Sequence, residues 1–210
     1  AKDLFVEFVG SDVIGDVRDK DHGSASPTAK NTKPTLEVSS WTQTVRQPKS
    51  ATSSTAGGHS AERCEHADMV FTKDIDAATP KLLQACSAGT IFKEVKVYFY
   101  RAISSTANQA GQHNGGLQRK RYLLIEMKNV LVSSVTPQVG GEGLPTETFS
   151  LRYSAIRWSY DEVKIDGTVG HTNVSCAWNL ANNTTNYSLW IPGAQPQSCP
   201  CLTSSRPASG

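Results

Sequence analysis

The sequence of 210 residues lacks long apolar runs and lacks an excess of charge of either sign. Its longest apolar runs are far shorter than the roughly 18 residues of a membrane-spanning helix, so membrane insertion is not expected. Leu4–Val9 has no basic start and is interrupted by Glu7, so no signal peptide is expected there. With 21 Lys and Arg against 19 Asp and Glu, the net charge is only +2. Because the only dense basic run is Arg119-Lys120-Arg121, a nucleic-acid partner is not expected either.

The sequence lacks an even set of cysteines, since it has five, and it lacks a Cys-x-x-Cys pair. A disulfide-stapled secreted module is therefore not expected. We interpret Cys86 and Cys176 as small apolar residues that fill core positions. The short motifs that begin at Cys64 and Cys199 lie in polar or proline-rich surroundings, so no metal site is predicted.

The common catalytic motifs are also missing. There is no Gly-x-Ser-x-Gly elbow, no His-Glu-x-x-His pair, and no glycine-rich loop of the phosphate-binding or dinucleotide-binding type. The histidines lie in polar, loop or turn contexts, which is typical of surface residues: His22, His59, His66, His113 and His171. The sequence therefore predicts no catalytic residue and no cofactor, and a hydrolase that uses a loop histidine is left as an alternative.

Alternation with a period of two is what the sequence does contain. In Glu94–Arg101, apolar residues at odd positions face one way, while Lys96, Tyr98 and Tyr100 face the other, as in a half-buried strand. Similar strands are predicted at Leu4–Val9, Leu36–Val45, Asp68–Lys73, Tyr122–Ser134, Thr146–Tyr160 and Val174–Leu180. A chain with so many strands is expected to be mainly β.

Two of these strands have special features. The apolar positions in Thr146–Tyr160 change from odd to even near Ala155, which predicts a bulge or a change of sheet. In the last strand, four residues are predicted to line one face: Val174, Cys176, Trp178 and Leu180.

One helix is predicted between two strands. Thr79 is a suitable N-cap, Pro80 fits the first helical position, and Gly89 fits the left-handed residue after the end. Strands with one short helix indicate a barrel or a sandwich with the helix against its side.

Three stretches are predicted as loops: Gln47–Ser60, Ile103–Gln118 and Pro137–Pro145. The chain after Leu180 changes to polar and proline-rich sequence, so we divide it into a β-domain at 1–180 and a C-terminal extension at 181–210. Trp190-Ile191-Pro192 is the compact apolar element of this extension. We interpret the extension either as a docking strip or as an appendage without a partner.

The most specific signature is Phe71-Thr72-Lys73 followed by a proline-started helix that ends in Ala85-Cys86-Ser87 and Gly89. This run resembles the haemolysin-coregulated protein (Hcp) family, the tube proteins of bacterial type VI secretion systems. Four further segments are similar to the family in the same order: Gly15–His22, Leu36–Gln43, the central hairpin from Val130 to Glu147, and Ala177-Trp178-Asn179-Leu180. Such collinearity over about residues 3–180 is more specific than any single motif.

The resemblance implies a compact β-barrel of two sheets with one flanking short α-helix. It also implies homo-hexameric rings that stack into a tube inside a contractile sheath, beneath a spike protein of the valine-glycine-repeat type. Such a tube protein resides in the bacterial cytoplasm before firing and is then secreted or injected without a cleaved signal peptide. It carries or chaperones small effector proteins in the ring lumen and performs no covalent chemistry.

Two tyrosines are candidate subunit contacts. Tyr98 and Tyr100 are aromatic residues on a strand face that would otherwise be solvated, so we predict that they meet another subunit or the 103–118 insertion. Coverage by a neighbouring loop of the same chain is the alternative.

A second set of candidates concerns ring stacking and the lumen. The segment from Trp41 to Ser60, which contains Ser50, Gly57 and Gly58, is long enough to reach a neighbouring ring. If Trp41 belongs to the core, then Ser40 and Thr42 point outward, and we predict that they face the lumen.

A function of another class is left open by the sequence. Four Asn-x-Ser/Thr matches would be glycan acceptors in a secreted protein, which favours a glycan-binding or receptor-binding β-sandwich as the alternative: Asn173, Asn182, Asn183 and Asn186.

Overall fold

The structure is a computed structural model, and it describes residues 3–19, 21–23, 30–48, 63–103, 118–140, 143–164 and 170–188. Its elements in chain order are β1 (Leu4–Phe8), β2 (Thr35–Glu37), β3 (Ser40–Thr42), β4 (Val45–Arg46), β5 (Glu65–His66), β6 (Met69–Asp74), α1 (Thr79–Ala88), β7 (Ile91–Ile103), β8 (Gln118–Gln138), β9 (Thr146–Arg152), β10 (Ala155–Tyr160) and β11 (Val174–Asn179). The predicted mainly β class is confirmed, and the described residues form two sheets and one helix. No helix within the described ranges is long and apolar enough to cross a bilayer.

The larger sheet has nine strands, and its main path runs β2-β1-β7-β8-β9-β6-β3. Its two outermost strands on this path, β2 and β3, are separated by only Val38 and Ser39 along the chain. Val38 N donates to Leu4 O on β1 at 3.0 Å, and Ser39 N donates to Thr72 O on β6 at 2.7 Å. The sheet therefore curls until its two ends meet at these two residues, and we call this junction the seam.

The seam corrects the prediction of one continuous strand over Leu36–Val45. The chain instead forms β2, β3 and β4, which pair with β1, β6 and β5 in turn. Leu36 and Val38 are buried at even positions, whereas the next apolar residue, Trp41, packs against the core from an odd position. This change of phase is the physical reason for the break, because side chains alternate strictly along a regular strand.

The core follows the predicted alternation. Val95, Val97 and Phe99 of β7 are buried, and the residues between them are half-buried. At the centre, the rings of Phe71 and Phe149 stack at a centroid distance of 5.1 Å and an interplanar angle of 18°. Neighbouring inward residues of β6 and β9 therefore form a continuous apolar layer.

The helix lies where it was predicted, but its start differs. Ala78, not Thr79, is the N-cap residue, and no capping hydrogen bond comes from its side chain. The carboxylate of Asp76 takes this role, because its Oδ1 accepts a hydrogen bond from Ala78 N at 2.9 Å. Gly89 ends the helix with φ of 63°, as predicted for a left-handed residue.

The predicted change of phase in Thr146–Tyr160 is also observed. This segment forms β9 and β10, which lie one after the other along β8. β9 has β6 as its other neighbour, whereas β10 has β11. The break at Tyr153 and Ser154 thus moves the chain from one part of the sheet to another.

One expectation for the last strand is wrong. Cys176 is exposed rather than a core residue, and Val174 on the same face is 55% exposed. Cys86, by contrast, packs against the core as expected. β11 lies at the margin of the sheet and pairs only with β10 among the described strands, so the first half of its predicted apolar face is not covered there.

A buried ion network connects the helix start to the sheet. The ammonium of Lys73 is completely buried and donates to Glu147 Oε1, to Asp76 Oδ1 and to Asp74 O, each at 2.7 Å. Lys73 and Glu147 lie directly opposite each other on β6 and β9. Because the Asp76 carboxylate also receives the backbone N–H of Ala78, the network fixes the helix on the sheet.

Candidate assembly surfaces

Tyr98 and Tyr100 lie beneath the 15–23 loop of the same chain. His22 in this loop approaches the Tyr100 hydroxyl with its Nε2 at 2.5 Å and packs on the Tyr98 ring at a centroid distance of 4.6 Å. The hydroxyl of Tyr98 donates to Glu7 Oε2 at 2.6 Å. A loop of the same chain therefore covers Tyr98 and Tyr100, which was the alternative interpretation. Contact of these tyrosines with a second subunit stays a prediction.

Arg119 completes this cluster from the start of β8. Its guanidinium lies over the rings of Phe5 and Tyr100, at 5.2 and 4.8 Å from their centroids. It also forms an ion pair with Asp19 in the loop. These contacts attach the 15–23 loop to β1, β7 and β8, a role that sequence reasoning did not assign to Arg119.

Gly23 allows the end of the 15–23 loop to lie close to the backbone of Val17. A Cβ at this position would lie 2.1 Å from Val17 O, which is far inside contact distance. Only glycine allows this approach.

The electrostatics of the cluster favour neutral rings. Burial lowers the pKa of His22 and outweighs the neighbouring Asp19, and burial also raises the pKa of Tyr100. A neutral imidazole and a neutral phenol share one hydrogen bond, in which the tautomer decides the donor.

The lowered pKa of His22 predicts loss of stability in mild acid. Above about pH 6.5, the usual pKa of an unfolded histidine, neither state binds the proton. As the pH falls below this value, the unfolded state binds a proton before the folded state, so the free energy of unfolding decreases. We expect the urea midpoint to fall between pH 7 and pH 5, and His22→Gln to reduce this fall.

His171→Gln, which replaces an exposed imidazole by the same residue type, is the matched control for the substitution itself. Equal pH dependence in wild type and His22→Gln would contradict the assignment. The paired carboxylates Asp19 and Asp68 also have lowered pKa values, but they lose their contribution only near pH 4 and below.

Trp41 and its neighbours are arranged as the strand alternation required. Trp41 is half-buried and packs edge-on against Phe99 at a centroid distance of 4.9 Å. Ser40 and Thr42 are exposed on the opposite face. Because Trp41 packs against the core, the hydroxyls of Ser40 and Thr42 point outward as expected. That they face a lumen stays a prediction.

The other stacking candidates, Ser50, Gly57 and Gly58, lie outside the described residues. The segment that contains them begins after β4 and returns at β5, since Val45 and His66 pair across the smaller sheet.

The hairpin between β8 and β9 carries an exposed apolar patch that sequence reasoning missed. Val139 is 75% exposed and Leu144 is 78% exposed. Ile75 extends the patch, because its backbone N–H donates to Pro145 O at 3.0 Å and its side chain is also exposed. We call Ile75, Val139 and Leu144 the hairpin patch.

A second apolar patch lies near the other end of β8. Tyr160 and Val174 face each other across β10 and β11 and are both exposed, and Tyr160 also pairs with Leu123 of β8. We call Tyr160 and Val174 the edge patch. The hairpin patch instead adjoins the end of β8 near Gln138, so unlike apolar surfaces lie at opposite ends of one long strand.

Comparisons with known proteins show the family of the chain. Residues 11–160 match the model of the family described as type VI secretion system effector, Hcp. The chain is 36% identical to the protein hcp1 of Pseudomonas aeruginosa over 117 residues, which are 55% of this chain and 65% of that protein. The match thus spans just under two thirds of that relative.

Solved structures show the same fold. A structure described as a type six secretion system protein has a TM-score of 0.67 at 20% identity, with 88% of this chain and 99% of that chain covered. A mutant of Hcp1 from the E. coli EAEC 042 pathovar has a TM-score of 0.58 at 21% identity, with 86% and 99% covered. Because the family model matches residues 11–160, which is more than half of the sequence, the chain belongs to the Hcp family of type VI secretion system proteins.

Proposed function

We propose that this chain is a ring subunit of a type VI secretion tube. Six copies form a ring, rings stack into a hollow tube within a contractile sheath, and the tube is expelled with a spike protein of the valine-glycine-repeat type. The lumen holds small effector proteins. The role is structural and needs no cofactor and no covalent chemistry.

The observation that carries the proposal is the pair of unlike apolar patches at opposite ends of β8, in a chain of the Hcp family. A closed ring is built from a heterologous contact, in which one surface of a subunit meets a different surface of the next. The hairpin patch and the edge patch supply two such surfaces. Near-neutral net charge favours the packing of many like subunits, because their mutual repulsion is small.

The remaining surfaces fit the same assembly. The exposed hydroxyls of Ser40 and Thr42 face the lumen, where small polar side chains suit a passage for varied cargo. The segment from Trp41 to Ser60 reaches the adjacent ring. Tyr98 and Tyr100 lie beside the subunit boundary, with the 15–23 loop between them and the neighbour.

Electron microscopy of the purified protein tests the proposal directly. We expect six-membered rings with a central opening, and short stacks at high concentration. Dispersed monomers at high concentration would contradict it.

A charged residue in the hairpin patch should prevent ring closure. Leu144→Lys places an ammonium in a contact that excludes water, and each of the six equivalent interfaces bears the change. We expect native mass spectrometry to show mainly monomers, with unchanged circular dichroism because the side chain is 78% exposed in the subunit. Leu144→Met, which keeps the apolar character, should still form rings. Intact rings in Leu144→Lys would exclude the hairpin patch from the interface.

A further inference from the structure

The edge patch is bordered by a group of cations. Arg101 of β7 lies directly opposite Lys120 of β8, so the two side chains share one face of the sheet. The guanidinium of Arg101 donates to Val163 O at 3.3 Å, which brings the exposed Lys164 close to the same place. No ion pair joins these three cations to an acidic residue within the described ranges. We call Arg101, Lys120 and Lys164 the basic collar.

The basic collar lies on the same sheet face as the edge patch. Phe99 of β7 and Tyr160 of β10 both pair with Leu123 of β8, so these three residues share a face. Arg101 follows Phe99 by two positions and therefore continues that face. The collar and the edge patch thus form one surface, which is apolar in one part and positively charged in the other.

The acids near this end of the sheet have other partners. Asp19 forms an ion pair with Arg119, and Asp161 lies 3.7 Å from Arg121. Both arginines alternate with the collar residue of β8, so their side chains point to the opposite face. Glu162 accepts a backbone hydrogen bond from its own loop. The edge-patch face therefore keeps a net positive charge, since only the carboxylate of Glu162 lies in the same described segment as the collar.

The hairpin patch is bordered by acids instead. Asp74 and Asp76 flank Ile75 along the chain. Asp16 lies beside them, because its backbone N–H donates to Asp76 Oδ2 at 3.3 Å, and both Asp16 and Asp74 are exposed. Lys73 contacts Asp76, but it also pairs with a buried carboxylate of β9, so one ammonium does not balance this group. We call Asp16, Asp74 and Asp76 the acidic collar.

The two collars carry opposite charge at opposite ends of β8. Lys120 lies near the beginning of this strand, whereas Asp74 pairs with Thr146, which in turn pairs with Gln138 at its end. Like charges directly opposite each other in a sheet are destabilising, so the pair of Arg101 and Lys120 lowers the stability of a single subunit. Acids of a neighbouring copy would offset that repulsion.

We propose that the acidic collar of one copy contacts the basic collar of the next copy, and that this pairing sets the direction of the ring contact. The inference rests on the proposed ring and adds what orients its subunits. Two apolar patches alone would also allow hairpin-to-hairpin or edge-to-edge dimers with two-fold symmetry. Such dimers would bring like charges together, which suppresses them. Exposed charge pairs add little affinity, so the apolar patches supply the binding and the collars supply the direction.

Charge reversal of each collar in the full-length chain tests the proposal. Lys120→Glu/Lys164→Glu gives a chain with acids at both ends, and Asp16→Lys/Asp74→Lys gives a chain with cations at both ends. Each chain alone should need a concentration at least about tenfold higher than wild type to form hexamers, because like charges then meet at every interface. Native mass spectrometry measures the hexamer, and circular dichroism confirms that each subunit is folded.

Mixing the two reversed chains in equal amounts should restore the rings. In an alternating order, every acidic end meets a cationic end, so the expected hexamer contains three copies of each chain. This composition is read directly from the mass of the complex. Two folded variants that do not restore hexamers when mixed would overturn the proposal.

Lys93→Glu is the matched control, because Lys93 is exposed and lies on β7 about midway between the two ends of β8. It should form hexamers like wild type, and raising NaCl from roughly 0.05 to 0.5 M should weaken wild-type assembly. Hexamers of both reversed chains at the wild-type concentration would overturn the role of the collars while the ring itself stands. A wild-type chain that forms no hexamer would overturn the proposed ring, and this contact with it.

Discussion

Replacing Lys73 by methionine is expected to lower the free energy of unfolding by about 3–5 kcal/mol, because it leaves a buried carboxylate without its cation. Glu147 is completely buried, and its second oxygen has no hydrogen-bond partner among the described residues even with Lys73 present. The ammonium also holds Asp76, which caps the helix, so the helix start should loosen as well. Urea unfolding measures the change, and it is done at one protein concentration because the apparent stability of a protein that self-associates depends on its concentration.

The exposed pair of Lys81 and Asp12 supplies the control for this prediction. Its ammonium and carboxylate are 2.6 Å apart, yet both side chains are largely in solvent. Lys81→Met should therefore change stability by less than about 1 kcal/mol. Adding Glu147→Gln to Lys73→Met removes the unpaired charge and should restore part of the loss. A Lys73→Met protein as stable as Lys81→Met would refute the importance of the network.

Phe149→Ala is expected to destabilise the chain by about 3–5 kcal/mol through loss of packing at the centre of the core. The Phe149 ring is fully buried and stacks on Phe71, so its removal leaves a cavity that the surrounding strands of the curled sheet cannot fill. The same urea experiment measures the loss. Ile91→Ala is the control, because Ile91 is 65% exposed and should change stability by no more than about 0.5 kcal/mol. Comparable effects of the two substitutions would contradict the assignment of the core.

Much of the fold was predictable because local patterns and tertiary contacts agree. The apolar odd positions of Glu94–Arg101, which are Val95, Val97 and Phe99, are buried as the alternation required. Gly89 ends the helix in the left-handed conformation that a side chain disfavours. The change of phase near Ala155 coincides with the passage from β9 to β10.

The seam was missed although the same kind of signal was present. The shift from Leu36 and Val38 at even positions to Trp41 at an odd one marks a break, as at Ala155. β2 pairs with β1, and β3 pairs with β6. These partners are distant in sequence, and local patterns carry no information on such pairing.

The ion network could have been predicted from the sequence, whereas the loop that covers Tyr100 could not. Lys73 continues the inward alternation of Met69 and Phe71, and Glu147 precedes Phe149 in the same way, so opposite charges at inward positions were a usable signal. Coverage of Tyr100 by His22 depends on a loop 78 residues earlier in the chain, which no periodicity predicts. The hairpin patch was missed because single apolar residues in a glycine-rich loop do not form a pattern.

The seam has a consequence for how the chain reaches its fold. If residues 35–42 are not yet in place, β1 and β6 each lack one of their neighbours, so two unpaired strand edges are open at the same time. Such edges are templates for pairing with other chains during synthesis and folding. The segment that joins the two ends of the sheet thus also protects the newly made chain from aggregation.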